Sequence, residues 1–396
     1  STPIKSSAAS DVYKRQSVSP LCLHWITSSI HSSRERPGAR LLLIMKPPNI
    51  VTVHFLSAKW SKKLFTINHY ELQNGKCIVT QELSAYGENR VMEHELSDDE
   101  VIKFVKDILP MKLLNFCFCG GETLLRKELI CKCIKMLSNC GVRTAIVTNG
   151  ILASESVIRD LYHSGLNSIQ FSVDGAKAES HDKLRNKTGV YDSVFRAIDI
   201  VRKYDMEMSI AFTPTSFNIE ELEELHTKLE SMSFNNKIEL RVQPLMPLGR
   251  GNKNLENICP TDIQYRKLVN TINTINARNP SIKIVWGDPV DHLIRFPEHT
   301  ELPMYYISIR ANGDIVTSPY LPLVVGNIRN HSIEEYWNGG LYELWKKKIP
   351  CYMAAFIKSV GDMGRITEKF PATFMDDIYI DMLEKDLDDL SLLPNN

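Results

Sequence analysis

Short apolar runs rich in β-branched residues alternate with longer amphipathic stretches along the middle of the chain, and this alternation limits the possible folds most. Such a pattern is typical of successive βα units on a parallel sheet. The predicted strands lie at 64–69, 113–119, 142–148, 168–173, 208–213 and 238–243. The predicted helices lie at 98–109, 127–138, 155–163, 190–203, 219–232 and 261–275. Six such units predict an α/β fold, a partial (β/α)6 TIM-like barrel rather than a full barrel of eight.

The sequence after the sixth predicted strand has a different pattern. Residues 246–251 break the alternation, and 307–316 predict two short strands around the hairpin dipeptide Asn312-Gly313. One further helix is predicted at 332–347. The barrel is therefore expected to end near residue 277 and to be followed by a small C-terminal extension.

Four regions are expected along the chain: a leader at 1–44, the barrel at 45–277, the extension at 278–375 and an acidic tail at 376–396. Residues 11–16 match a conceptual translation of a transposase sequencing adapter, so the leader is expected to be non-native, with a natural start at Met45. A natural disordered leader is the alternative. The tail is expected to be a solvated end.

Composition excludes several classes of partner. Lysine and arginine number 47 and so do aspartate and glutamate, so no broad basic field predicts nucleic-acid binding. No apolar run approaches the roughly 18 residues that would span a membrane. The nine cysteines are odd in number and scattered, which favours a reducing cytoplasm over a secreted disulfide framework.

Polar and glycine residues follow several predicted strands. The second strand is followed by Gly120, Gly121 and Glu122, and the third by Asn149, while Ser172 and Asp174 lie at the end of the fourth. Because the carboxyl ends of parallel strands meet at one edge, these residues are expected to lie together. A carboxylate such as that of Glu122 can accept hydrogen bonds from the ammonium group of an amino acid moiety. Taken singly, each motif favours an ordinary βα turn, and no catalytic residue is predicted.

The order of these motifs resembles the radical S-adenosylmethionine (SAM) superfamily. The matching segments, between about 64 and 250, are FCFCGGETLL at 116–125, TNG at 148–150, SVDG at 172–175 and a segment with His181, Asp182, Arg185 and Gly189. The resemblance implies that the SAM amino group is bound at Gly120, Gly121 and Glu122. It further implies contacts to SAM from Asn149, Ser172 and Asp174.

The same resemblance implies that Arg185 meets the SAM carboxylate. A guanidinium suits that role because its planar fork binds a carboxylate through two parallel hydrogen bonds. The alternative for Arg185 is a surface salt bridge.

The family also uses a [4Fe–4S] cluster held by the pattern CxxxCxxC after the first strand. Here residues 73–80 read QNGKCIVT, so Gln73 and Thr80 occupy the outer cysteine positions and Cys77 is the one surviving candidate ligand. Neither an amide nor a hydroxyl replaces a thiolate well. The cysteines at 117, 119, 131 and 133 lack metal-site spacing and are expected to have structural roles.

Residues 309–318, 325–328 and 333–337 resemble the SPASM-type extension of peptide-maturing family members. In that extension a cysteine for an auxiliary cluster stands where Ser318 stands here, and only Cys351 follows, so no auxiliary cluster is expected. The resemblance implies a peptide or small-protein substrate.

Two functions remain open from the sequence. The first is a peptide-modifying enzyme that uses a 5′-deoxyadenosyl radical, its missing ligands reflecting an error in the sequence beside the leader. The alternative is a relative without the cluster that binds SAM or peptide without catalysis. An ordinary nucleotide enzyme is less favoured, because Gly249-Arg250-Gly251 is only a fragment of a dinucleotide fingerprint.

Overall fold

A computed structural model describes residues 95–394 and the backbone of Thr52–Leu56. Within 95–394 it leaves out 112, 121, 233, 235–237, 246–257, 288–292, 294–305, 319, 359–361 and 363–376. Five features named from the sequence therefore lie outside the described residues: the leader, the predicted strand at 64–69, Cys77, Gly121 and the Gly249-Arg250-Gly251 segment.

The described strands form one sheet of 11 strands. Their bounds are β1 Thr52–Leu56, β2 Asn115–Cys119, β3 Arg143–Thr148, β4 Ser168–Ser172, β5 Glu207–Phe212, β6 Ile238–Val242, β7 Lys283–Trp286, β8 Tyr306–Ile309, β9 Asp314–Val316, β10 Leu323–Asn327 and β11 Ile378–Tyr379. Their order is β11-β10-β9-β8-β1-β2-β3-β4-β5-β6-β7.

Every neighbouring pair from β8 through β1 to β7 is parallel. Strand β9 is antiparallel to both β8 and β10, and β11 is parallel to β10. Because β11 and β7 are the two edges, the sheet is not closed. The α/β fold with a partial barrel is thus confirmed.

Helices connect the parallel strands. Their bounds are α1 Asp98–Ile108, α2 Lys127–Asn139, α3 Glu155–His163, α4 Ala178–Arg185, α5 Val190–Val201, α6 Leu222–Ser231, α7 Asp262–Ala277, α8 Ile333–Asn338 and α9 Lys348–Ala354. Local sequence sets several helix starts. Ser97 caps α1 and Glu100 completes a capping box, and Thr261 with Gln264 does the same for α7.

Strand alternation separates an apolar face of the barrel sheet from a more polar one. Phe118, Ile146 and Ile169 are paired across β2, β3 and β4, and all three are fully buried in the main hydrophobic core. On the opposite face, Cys117, Ala145 and Gln170 are only half-buried. Burial of the first face against the helices fixes the register, because a shift by one residue would exchange the two faces.

Three features differ from the sequence interpretation. The strand beside β2 is Thr52–Leu56, whereas the first strand had been placed at 64–69. Strand β7 adds a seventh parallel strand that was not predicted. The single helix expected at 332–347 is wrong, because α8 ends at Gly339-Gly340 and a 3₁₀ helix follows at Leu341–Lys346. Gly340 has φ 105°, a conformation that favours glycine and interrupts the helix.

The prediction of a solvated acidic tail is also wrong. Strand β11 adds to the sheet beside β10, and Leu387 and Leu393 are buried in the core. Asp388 accepts hydrogen bonds from the Lys347 ammonium and the Lys348 backbone amide. The apolar residues spaced between the acidic ones hold this segment against the extension.

Among the helices that the structure describes, none combines the length and apolar character needed to cross a bilayer.

Candidate functional site

The turn after β2 brings a carboxylate back over the end of the sheet. Gly120 has φ 138°, a backbone conformation open to glycine but costly for other residues. Glu122 then caps the 3₁₀ helix Thr123–Arg126, and its Oε1 accepts a hydrogen bond of 3.0 Å from the amide of Leu124. The first carboxylate of the site is therefore positioned by the turn itself.

Glu122 also joins the ends of β2 and β3. Its Oε1 accepts a hydrogen bond of 2.6 Å from the Thr148 hydroxyl, and its Oε2 accepts one of 2.9 Å from the amide of Asn149. The side chain is buried, with 7% of the residue exposed. Burial raises the pKa of Glu122, while the three donors and the charge of Arg185 act in the opposite direction.

Asp174 and Arg185 form a second charged group after β4. An Oδ2 of Asp174 is paired with the Arg185 guanidinium, and its Oδ1 accepts a hydrogen bond of 2.9 Å from the amide of Thr213. Asp174 is almost fully buried, whereas 17% of the Arg185 side chain is exposed. Helix α4 places Arg185 in its last turn and ends at Asn186 in the left-handed conformation. The short helix therefore folds the guanidinium back onto the strand end.

His181 and Asn218 fix the backbone of Asp174. His181 Nδ1 accepts a hydrogen bond of 2.9 Å from the amide of Asp174, and Asn218 Nδ2 donates one of 2.8 Å to its carbonyl. Burial lowers the pKa of His181 to about 4. The imidazole is therefore neutral at physiological pH and serves as an acceptor at Nδ1.

Glu122 and the ion pair of Asp174 with Arg185 interact electrostatically. Burial raises the pKa of Glu122, and the positive charge of Arg185 offsets part of that rise, so the guanidinium acts electrostatically on this carboxylate. A buried carboxylate beside a guanidinium fork is complementary to a zwitterion that carries one ammonium and one carboxylate. The arrangement suits the headgroup of an α-amino acid.

The structure brings together most residues that the sequence proposed for SAM. Glu122 contacts Asn149, and Asp174 is paired with Arg185. Both pairs lie after parallel strands of the sheet, and we call this region at the carboxyl ends of β2 to β5 the mouth. Ser172 ends β4 two residues before Asp174 and is half-buried, and its side chain makes no hydrogen bond within the described part of the chain. Arg185 is bound by a buried carboxylate rather than by a surface partner. The roles of all seven residues toward SAM remain predictions.

Three supporting residues were missed from the sequence. Thr148 and His181 stand inside the quoted motifs but were not assigned a role, and Asn218 lies in the loop after β5 with no motif around it. Thr148 could have been found, because a hydroxyl next to Asn149 and Gly150 at a strand end is a common partner for a carboxylate. Nothing in the sequence near Asn218 indicates its contact with Asp174.

The thiol groups of the described residues, together with the sequence of 57–94, do not fit a [4Fe–4S] cluster, which needs three thiolates besides SAM. Residues 57–94 contain Cys77 as their one cysteine. Cys117 and Cys119 lie within β2, one half-buried and one buried. Burial raises the pKa of Cys133 to about 12, which keeps that thiol protonated. A cluster therefore lacks its ligand set here.

Residues 77–229 match the radical SAM superfamily. A haem synthase that depends on AdoMet, from Methanosarcina barkeri, is 23% identical over 64% of this chain and 76% of its own length. A PqqA peptide cyclase from Granulibacter bethesdensis is 19% identical over 62% of this chain and 66% of its own length. The mycofactocin maturase MftC of Mycolicibacterium smegmatis is 26% identical over 50% of this chain and 48% of its own length.

Solved structures share the fold. Streptococcus suis SuiB bound to S-adenosylmethionine superposes with a TM-score of 0.53 at 15% identity, covering 73% of this chain and 66% of that one. The structure of anSMEcpe with bound AdoMet gives a TM-score of 0.50 at 17% identity, covering 75% of this chain and 84% of that one. The ordered motifs, the partial barrel and the family match agree, and residues 77–229 of this chain match the radical SAM superfamily.

Proposed function

We propose that this chain binds SAM at the mouth formed by Glu122, Asn149, Asp174 and Arg185, and that a parent sequence with an intact cluster loop modifies a peptide or small protein. The observation that supports it is the presence of the buried Glu122 carboxylate and of the Arg185 guanidinium, paired with Asp174, at the carboxyl ends of the parallel strands. The chain covers between 48% and 76% of the relatives named above, so its activity as a whole protein is part of this proposal.

Each residue has a distinct task in this proposal. Glu122 accepts hydrogen bonds from the SAM ammonium while Thr148 and the Asn149 amide hold its carboxylate in place. Arg185 donates to the SAM carboxylate, and Asp174 keeps the guanidinium oriented. Ser172 completes the lining of the same mouth, and the contact of Gly121 with SAM stays a prediction from the sequence. The low exposure of Glu122 and Asp174 reduces competition from water and strengthens these contacts.

A peptide substrate is supported by two kinds of relative. One relative is named a PqqA peptide cyclase and another a mycofactocin maturase, and SuiB has been solved with its precursor peptide SuiA. The region at 278–375 is proposed as the SPASM-like unit that meets the peptide, and strands β8 to β10 lie in it. We place the protein in the cytoplasm, since the scattered cysteines suit a reducing compartment.

In this superfamily a reduced [4Fe–4S] cluster cleaves SAM to a 5′-deoxyadenosyl radical. With Cys77 as the one cysteine at the expected spacing, we propose that this polypeptide binds SAM but does not start the radical reaction. A parent sequence with cysteines at 73 and 80 would do so. No auxiliary cluster is included in the proposal.

The decisive experiment restores the two missing thiols. The variant Gln73→Cys/Thr80→Cys and the original chain are reconstituted anaerobically with iron and sulfide, and cleavage of SAM to 5′-deoxyadenosine is measured. The variant is expected to bind four irons and cleave SAM, and the original chain is not. A control, Asn74→Cys/Thr80→Cys, adds two thiols at the wrong spacing and should stay inactive. Equal activity of variant and control would contradict the proposal.

A tetrapyrrole substrate is the second candidate. It is favoured by one observation: a haem synthase is matched over 76% of its own length, more than the PqqA peptide cyclase and the mycofactocin maturase named above. A titration of the chain with iron coproporphyrin III, followed through the Soret absorbance, separates the two. Saturable binding at micromolar concentration would favour the tetrapyrrole, and its absence the peptide.

A further inference from the structure

Three metal-ligating side chains meet in the C-terminal part of the sheet. Parallel strands β10 and β11 end at the same edge, where His331 follows β10 and Asp381 and Glu384 follow β11. One ligand atom of each residue lies within 4.8 Å of the other two. This cluster is defined by His331, Asp381 and Glu384 and is separate from the mouth at Glu122.

Asp381 is held in place by three donors. Its Oδ2 accepts hydrogen bonds of 2.7 Å from the Tyr336 hydroxyl and 3.4 Å from the Tyr379 hydroxyl, and its Oδ1 accepts one of 3.1 Å from the amide of Leu383. Only 3% of Asp381 is exposed. Metal-binding carboxylates are commonly oriented by such outer hydrogen bonds.

The cluster carries negative charge without a matching cation. Over the ranges that the structure describes, no lysine or arginine forms a salt bridge with Asp381 or Glu384. A buried carboxylate without a cationic partner is costly, and a bound cation would remove that cost.

His331 brings a nitrogen ligand to the carboxylates. Its Nδ1 lies 4.0 Å from Glu335 Oε1, on the first turn of α8. A carboxylate on one side of an imidazole is the usual arrangement that leaves the other ring nitrogen for a metal. The mixture of one imidazole and two carboxylates is suited to a borderline ion rather than to Mg²⁺ or Ca²⁺, which prefer oxygen alone.

We propose that His331, Asp381 and Glu384 bind one Zn²⁺ ion, with water at the fourth position. Zinc bonds of about 2.0–2.2 Å place tetrahedral ligand atoms about 3.4 Å apart. The distances between the ligand atoms must therefore shorten by up to about 1.4 Å from their present limit of 4.8 Å. Exposed Glu384 is free to make that movement, while Asp381 stays fixed by its tyrosines. The ion would tie the segment after β11 to the turn before α8.

The test uses the full chain, freed of metal with a chelator and treated with N-ethylmaleimide to block accessible thiols. Zinc is titrated against a chromophoric chelator, and the thermal unfolding midpoint is measured with and without ZnCl₂. One zinc per chain and a rise in the midpoint of about 2 °C or more are expected. MgCl₂ should produce neither effect.

Two variants and two controls decide the assignment. His331→Ala and Glu384→Gln are each expected to weaken zinc binding by about tenfold or more. His163→Ala and Glu128→Gln change a histidine and an exposed glutamate elsewhere and should leave it unchanged. Zinc affinity that is the same in the variants and the controls would overturn the proposal, as would the absence of zinc binding. SAM affinity, measured on the same variants, should stay unaltered, which separates this site from the proposed function.

Discussion

Replacement of Glu122 by glutamine tests whether its carboxylate binds the ammonium group of SAM. The two carboxylate oxygens accept three hydrogen bonds, from Thr148, Leu124 and Asn149. Glutamine keeps one oxygen and places an NH₂ group where the other stood. An NH₂ group in place of Oε2 would face the Asn149 amide, and two donors cannot form a hydrogen bond with each other. The hydrogen bond from the SAM ammonium to this oxygen would be lost as well.

The size of the effect follows from the lost contact. A hydrogen bond to a charged group contributes about 1.5–3 kcal/mol, so loss of the ammonium contact should weaken SAM binding about 10- to 150-fold. The free energy of unfolding should change less. Removal of a buried charge whose pKa is raised by burial offsets the lost hydrogen bond to Asn149.

Isothermal titration of SAM into the anaerobic full chain measures this effect. Glu128→Gln, on the exposed first turn of α2, is the matched control and should bind SAM like the original chain. Equal SAM affinity in Glu122→Gln and Glu128→Gln would refute the role given to Glu122.

Two further predictions concern the surroundings of the mouth. Gly150→Ala should destabilise the fold by about 1–3 kcal/mol in urea unfolding, because φ is 82° and the new Cβ would lie 2.8 Å from Val194 Cγ2. Gly141→Ala, at φ 77° with open space around it, should cost only about 1 kcal/mol, and equal losses would contradict the steric argument. His181 predicts a pH effect: burial lowers its pKa from 6.5 to about 4, so between these values the unfolded chain binds a proton that the folded one does not. Stability should therefore fall as pH drops through that window, by up to about 3 kcal/mol, and His181→Asn should flatten the slope; an unchanged slope in denaturation at pH 4 to 7 would disprove this.

The central helices and strands were predictable because their periodicity is strong and their caps are local. Helix α3 matches its predicted bounds, and the Ser97–Glu100 capping box forms as expected. Their signals lie within a few residues of the chain. Such elements need little information from the rest of the fold.

The elements that were missed depend on distant partners. Residues 51–56 read VTVHFL, a β-branched run, but this run stands apart from the alternating pattern that begins near residue 64. Strand β11 has only two residues and gains its backbone partners from β10. The acidic residues around β11 give the sequence the composition of a solvated tail, although some of its apolar side chains pack into the core.

The site was predictable in its composition but not in its internal pairing. Spacing placed Glu122, Asn149, Asp174 and Arg185 at strand ends. The ion pair between Asp174 and Arg185 requires α4, which was not predicted, and the hydrogen bonds from Asn218 come from a separate loop. Contacts of this kind depend on how helices pack, which local patterns do not encode.

Structure determination of the full chain with SAM, under anaerobic conditions, tests the central claim most directly. The account predicts the methionyl ammonium at hydrogen-bond distance, about 3 Å, from the Glu122 carboxylate and the methionyl carboxylate facing the Arg185 fork. SAM bound elsewhere, or a mouth left empty at saturating SAM, would contradict it.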